Sequence, residues 1–339
     1  MCSSSQKRSV IPMRAQLLTS HGGPENFVLS QVPRPELGPG RVLVRVGAVS
    51  LNHIDVRIRT GLPIGAPLPA VLGCDVAGTV EAVSPDVTDF APGDLVWGCA
   101  GGVRGESGTL AEFISADAQL LAPAPKGRSM RDAAALPLVG ITAWEAVERA
   151  GVSHRDHVLV HAGAGGVGHV AVQLAKFSGA RVAATVGSAE DAEVARGYGA
   201  DDVILYRDED VRSYVERLTR GRGFDVVIDT VGGGNLDKTF EAVGLNGRVA
   251  ATAARSTHDL SPLHAKGVSL HVVFMIIPML HGLGRDRHGR ILKKLGALVE
   301  AGKLRPRVDP TRFGLADVGD AFRYFESGKA RGKVIVEVE

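Results

Sequence analysis

Residues 161–168 read His-Ala-Gly-Ala-Gly-Gly-Val-Gly, between an apolar run (Val158, Leu159, Val160) and a stretch with helical apolar spacing at Val167, Val170, Ala171 and Leu174. A glycine-rich turn between a strand and a helix does one kind of chemistry well: its unpaired N–H groups and the positive end of the helix dipole bind the pyrophosphate of a dinucleotide. Gly163 is expected to allow the tight turn, Gly165 to let backbone approach the phosphates, and Gly168 to let the helix pack on its strand. Ala164, Gly166 and Val167 complete the candidate cofactor loop. An NAD site places an acid about 20 residues further on, against the ribose 2′-hydroxyl. Here the second strand ends Thr185-Val-Gly187-Ser188, without the acid, which favours NADPH. Glu190 and Asp191 count against that reading unless they belong to the exposed first turn of a helix, where the dipole favours them.

The elements that must position this turn follow from texture. Short β-branched runs divided by Gly and Pro (42–49, 76–83, 94–97, 110–114) predict a mostly antiparallel, barrel-like unit. From about residue 137 strands and helices alternate, with strands expected at 157–161, 181–186, 202–206, 224–230, 247–253 and 269–277, which describes a doubly wound parallel sheet. Helices over 290–302 and 318–326 and a last strand over 333–338 are expected to return to the first unit. Val231 and Gly232, ending the fourth strand, and Phe274, near the end of the sixth, fall at the carboxyl edge where such sheets bind ligands, though each would also suit a core.

Bulk properties exclude several classes. The chain has 339 residues, enough for two cores, with 45% hydrophobic and 22% charged residues. A net charge of +2 without a basic stripe argues against nucleic acid. The longest apolar stretch, 268–283, is interrupted by Ser269, His271, Pro278 and His281, which argues against a membrane span. The first 12 residues lack a signal-peptide core, and three cysteines form no even framework, so a cytoplasmic location is expected. The fold is expected to begin at Met13, after a flexible extension over 1–12.

Further motifs are Asn52-His-Ile-Asp55, Arg59-Thr-Gly61, Leu72-Gly-Cys-Asp-Val-Ala-Gly78, Pro92-Gly-Asp94, Gly108 to Phe113, Thr142 within 133–145, and Ala330-Arg-Gly-Lys333. With the glycine turn they make the chain resemble the zinc-independent quinone oxidoreductase (zeta-crystallin-like) group of the medium-chain dehydrogenase/reductases. The resemblance implies a GroES-like, mostly-β catalytic domain (13–136 and 276–339), a Rossmann NADP-binding domain (137–275) and a homodimer. Where alcohol dehydrogenases of the superfamily hold catalytic zinc with Cys, His and Cys, this chain has Asn52, Cys74 and Leu138, and only Cys99 follows Trp97 where a structural zinc lobe needs four cysteines. Neither metal site is expected, and Cys74 and Cys99 read as small buried hydrophobes.

Without a metal, hydride transfer needs an acceptor that is already electrophilic, such as a quinone or an α,β-unsaturated carbonyl. The resemblance places Asn52 and Asp55 at the nicotinamide end of the cleft, although both residue types also cap helices. His53 is a candidate phosphate neighbour or a surface histidine. Arg57 stands where many members have tyrosine, so it is either a cation for substrate or a solvated arginine. Thr142, expected to begin the helix entering the second domain, is placed beside the nicotinamide, or else bonds its own backbone. Tyr206 is placed beside the adenosine phosphate, and Lys333 joins the cofactor set. Catalytic candidates are therefore Asn52, Asp55 and Arg57. An enoyl-thioester reductase and a non-catalytic NADPH-binding, crystallin-like protein remain as alternatives.

Overall fold

The computed structural model describes residues 11–338. The expected extension over 1–12 lies largely outside them, but Pro12 already pairs with Pro33, so the described fold starts one residue before Met13. Eight strands come first: β1 (Pro12–Leu18), β2 (Phe27–Pro33), β3 (Arg41–Ser50), β4 (Ala70–Val71), β5 (Asp75–Val83), β6 (Leu95–Cys99), β7 (Phe113–Asp117) and β8 (Leu121–Pro123). Long β3 is the spine, pairing antiparallel with both β5 and β7. The strand expected over 110–114 divides. Leu110 and Glu112 bond back to Gln16 and Arg14 of β1, and only from Phe113 does the chain switch to β3.

Helix α1 (His53–Arg59) lies between β3 and β4, and α2 (Met130–Ala134) and α3 (Pro137–Arg149) follow β8. The parallel sheet then runs through β9 (His157–Val160), β10 (Arg181–Val186), β11 (Asp202–Leu205), β12 (Phe224–Asp229), β13 (Val243–Ala251) and β14 (Ser269–Val272). Its order, β11-β10-β9-β12-β13-β14, reverses between β9 and β12, which opens the crevice outside their carboxyl ends where doubly wound sheets bind ligands. Helices α4 (Gly168–Phe177), α5 (Ala189–Gly197), α6 (Val211–Thr219), α7 (Asn235–Ala242) and α8 (Ser261–Lys266) connect the strands. Val158, Leu159 and Val160 are all fully buried, as a strand covered on both faces requires. The sixth strand stops at Val272 rather than 277. Pro278 then opens α9 (Ile277–His281), because its fixed φ suits the first helical turn and no ladder.

Helix α10 (Asp286–Glu300) packs on β6, β8 and α3, and after β15 (Phe313–Gly314) and α11 (Val318–Glu326) the chain ends in β16 (Ile335–Glu337). This last strand joins β3 antiparallel, with Ile335 opposite Ser50. Continuing that register brings Lys333 opposite Asn52, two residues across 281 positions of sequence. Among the described residues no helix is long and apolar enough to cross a membrane.

Candidate active site

The glycine turn is shaped by crowding. A Cβ on Gly168 would stand 2.0 Å from the Ala162 carbonyl oxygen, and one on Gly163 would stand 2.6 Å from Ala184 Cβ on β10. The positive φ that closes the turn belongs to Ala162 (52°), not to Gly163, so Gly163 serves strand packing rather than a left-handed bend. Gly165 and Gly166 leave backbone open at the start of α4, a cradle that fits a pyrophosphate. Beneath it, His169 is fully buried, its Nδ1 2.9 Å from the Gly165 carbonyl, while its Nε2 accepts the Arg307 N–H at 3.2 Å. Burial lowers its pKa to about 4, so this tether is neutral. On the opposite side Asp229 ends β12 by accepting from the N–H groups of Val231 and Gly232, from Asn235 and from Thr239. That fixes the Gly232 turn at the crevice and leaves Val231 half-exposed above it.

A surface recess of about 420 Å³ adjoins the end of β10, lined by Gly187, Ser188, Asp191, Arg207, Gly328, Lys329 and Arg331. Ser188 caps α5 by accepting the Asp191 N–H. The acids of that first turn are paired: Asp191 with Arg307 at 3.0 Å and Glu190 with Arg331 at 2.7 Å. Arg307 also donates to the Ala164 carbonyl at 2.7 Å, linking the recess to the glycine turn. Tyr206 stands beside Gly187, with the Arg207 guanidinium over its ring. Sequence reading gave no site role to Arg307, Lys329 or Arg331, which arrive from the far end of the chain; the motif 330–333, which contains Arg331, was the only signal.

The positions equivalent to zinc ligands are tied together by a carboxylate. Asp75, fully buried at the start of β5, accepts from Asn52 Nδ2 at 2.9 Å and from the Leu138 N–H at 2.8 Å. It thereby joins the end of β3 to the first turn of α3. The Asn52 Nδ2 group also donates to the Ser50 carbonyl, and Asn52 Oδ1 accepts from Lys333 Nζ at 2.5 Å. Lys333 is itself buried and donates to the Leu51 carbonyl. Asn52 thus turns its amide inward while it caps α1, and Asp55 completes that cap by accepting the Asn52 N–H at 2.8 Å. The other oxygen of Asp55 is buried with no hydrogen-bond partner. Burial raises Asp55 to about 6 and Asp75 to about 7. Cys74, against Cys99 and buried, is held well above its ordinary value and stays a thiol. Among the described residues no group of three or more His, Cys, Asp or Glu side chains is placed to hold a metal.

The remaining expected site residues lie on α1, on α3 and just beyond β14. Thr142 lies inside α3 rather than at its start, because the helix opens with Pro137, and its hydroxyl donates to the Leu138 carbonyl at 2.7 Å. His53 is the first residue of α1, its ring 5.0 Å from that of Phe325; the partial desolvation there, with Lys333 and Arg57 nearby, lowers its pKa. Arg57 is an exposed residue of α1, not of a loop. Phe274 lies beyond β14, half-buried, with the Arg255 guanidinium 5.7 Å above its ring.

Comparison with known proteins agrees with this architecture. Residues 38–126 match the alcohol dehydrogenase GroES-like domain and residues 198–336 the zinc-binding dehydrogenase family. The NADPH-dependent alkenal/one oxidoreductase of Arabidopsis thaliana chloroplasts is 35% identical over 96% of this chain and 79% of its own length. A solved alcohol dehydrogenase superfamily protein from Novosphingobium aromaticivorans is 42% identical, with a TM-score of 0.92 over 96% of this chain and 100% of that one. A mycobacterial quinone oxidoreductase superposes with a TM-score of 0.84 at 32% identity, over 96% of this chain and 99% of its own. With a GroES-like unit, a Rossmann sheet and Asn52, Cys74 and Leu138 in place of a ligand set, the chain belongs to the zinc-independent quinone and alkenal oxidoreductases of the medium-chain dehydrogenase/reductase superfamily.

Proposed function

We propose that this chain is an NADPH-dependent reductase of quinones and α,β-unsaturated carbonyls, acting without a metal. The observation that carries the reading is the Asp75 knot: its carboxylate and the Lys333 ammonium occupy the region where related enzymes assemble a Lewis acid, so the acceptor must arrive already electrophilic. The coenzyme supplies a hydride from its nicotinamide. The protein's part is placement and charge. The turn at 163–168 and the α4 N-terminus hold the pyrophosphate; Gly187, Ser188, Tyr206, Arg207, Lys329 and Arg331 hold the adenosine end; Val231, Gly232, Phe274 and Thr142 line the nicotinamide end. The cap formed by Asn52 and Asp55, with His53 beside it at the start of α1, orients the reacting face, and the buried Lys333 ammonium, set against Asn52, favours the negative charge that develops on an enolate or hydroquinone oxygen. Arg57, exposed on α1, is a cation for substrates with an anionic tail.

NADPH is favoured over NADH because the two acids that would repel a 2′-phosphate are paired with Arg307 and Arg331. The open edge of the sheet at β14, with Val272 half-exposed, supports a homodimer, and the buried free thiols of Cys74 and Cys99 suit a reducing compartment such as the cytoplasm. The test is steady-state turnover of quinones, short enones, enoyl thioesters and simple alcohols with both coenzymes, with and without chelator. Chelator-resistant reduction of quinones or enones is expected. Robust alcohol oxidation abolished by chelator would overturn the reading, and exclusive use of enoyl thioesters would replace it with the thioester alternative.

A further inference from the structure

The loops leaving β12 and β13 meet at the carboxyl edge of the parallel sheet, and there three side chains to which the coenzyme reading gives no part form a hydrogen-bonded series. His258 Nδ1 lies 2.8 Å from Asp237 Oδ1, and His258 Nε2 lies 2.5 Å from Ser256 Oγ. An ionised carboxylate only accepts, so it fixes the proton on Nδ1 and leaves Nε2 to accept from the serine hydroxyl. The connectivity is that of nucleophile, base and orienting acid, which is recognised by geometry and not by chain order.

Several features distinguish this arrangement from a chance surface contact. The imidazole is only 9% exposed and sits edge-on to the buried Phe240, with centroids 5.8 Å apart and planes at 81°, so the ring has one orientation. Asp237 occupies the first turn of α7. Ser256 is exposed to incoming reagent. The backbone N–H groups of Ser256 and Thr257 donate to no acceptor among the described residues, which leaves donors beside the nucleophile for a developing oxyanion.

We infer that Ser256 is a nucleophile towards activated acyl groups, short aryl esters and thioesters, and gives this chain an acyl-ester hydrolase activity independent of hydride transfer. As Ser256 Oγ bonds to the acyl carbon, its proton passes to His258 Nε2. The bond from that carbon to the leaving oxygen or sulfur breaks, and the leaving group takes the proton. Water then attacks the acyl-serine through the same imidazole, releasing a carboxylic acid and restoring the serine; nothing is oxidised or reduced. Ser256 is exposed, so the rate is expected to rise with ester concentration without saturating.

The experiment uses the full chain with p-nitrophenyl acetate and, separately, the acetyl thioester of N-acetylcysteamine, followed by peptide mass mapping of the acetyl group. Acetylation at Ser256 is expected, with hydrolysis falling by about a hundredfold or more in Ser256→Ala and in His258→Gln. Thermal melting and NADPH-dependent reductase activity are expected to stay as in the parent, which shows that the variants fold. Reaction in one arm alone supports the inference and identifies the leaving group accepted. An acetyl group found only on lysines, or ester hydrolysis unchanged in Ser256→Ala, would overturn it.

Discussion

The two halves of the coenzyme crevice are built by opposite means. On the parallel sheet, residues 162–168 work by having almost no side chains: a Cβ on Gly168 would meet a carbonyl oxygen at 2.0 Å, so the backbone itself is the surface offered to a ligand. On the antiparallel side, Asn52, Asp75 and Lys333 work through buried charge, with every polar atom of the Asn52 side chain engaged. The first kind of construction tolerates no added bulk, and the second no unbalanced charge. Each therefore fails under a different substitution.

The largest expected effect is on the charged side. Lys333→Met leaves Asp55 and Asp75 facing each other across a buried site without their cation, and removing one partner of a buried ionic group costs about 3–5 kcal/mol. Urea unfolding checks this directly. A loss below about 1 kcal/mol would mean that both carboxyls are already neutral in the folded chain, and the ionic description of the knot would have to be abandoned.

On the glycine side, Gly168→Ala forces a shift against the Ala162 carbonyl and is expected to cost roughly 1–3 kcal/mol, seen as a lower melting temperature and weaker NADPH binding. Gly165→Ala is the sharper control, since its Cβ would stand 3.1 Å from the same oxygen and needs only a small adjustment. Equal penalties at the two positions would show that close approach at Gly168 is not what shapes the cradle.

The same contrast decides what was legible in the sequence. The glycine turn and the alternation around it are local: periodicity over a short window marks strand, turn and helix, and the six strands of the parallel sheet were all expected, with errors confined to their ends. Those errors have causes, such as the helix that begins around Pro278 just beyond the sixth strand. The knot draws on positions 52, 75, 138 and 333: the pairing of β3 with β5 brings 52 near 75, the first turn of α3 presents 138, and the pairing of β16 with β3 adds 333. Nothing short-range announces Asp75 as the residue bridging Asn52 and Leu138, although it stands beside the noted Cys74. Asn52 and Asp55 were legible as residue types, but the bond from the Asn52 N–H to Asp55 that starts α1, and the turn of the Asn52 amide towards Asp75 and Lys333, depend on neighbours that sequence reading could not supply.

The raised carboxyl pKa values give a pH signature that the glycine side lacks. Unfolded, Asp55 and Asp75 ionise near 3.8; folded, they ionise near 6 and 7. Between those limits the folded chain binds more protons than the unfolded one, so the contribution of these two groups to stability falls as pH rises. Below the unfolded value both states are protonated, and above the folded values both are ionised, so the slope disappears at either end. The difference in urea midpoint between Asp75→Asn and the parent, followed from pH 4 to pH 8, is expected to move in the variant's favour as pH rises. A difference independent of pH would show that Asp75 ionises normally in the fold.

The smallest expected effect concerns the recess where the two halves meet, because its ion pairs are partly exposed and screened. Glu190 and Arg331 are both more than half exposed, so their pairing is worth at most about 1 kcal/mol, or roughly a fivefold change in binding. Arg331→Ala removes one cation from the recess and releases Glu190 to repel a 2′-phosphate, so KM for NADPH should rise by about that factor while KM for NADH barely moves. Glu190→Ala should act in the opposite direction, freeing Arg331 for the phosphate and sharpening the preference. In the double variant the two changes should largely cancel, since each acts through the other's charge. A double variant as impaired as Arg331→Ala alone would mean that Arg331 meets the phosphate independently of Glu190, and an equal rise in KM for both coenzymes would mean that the recess holds some part of the coenzyme other than the 2′-phosphate.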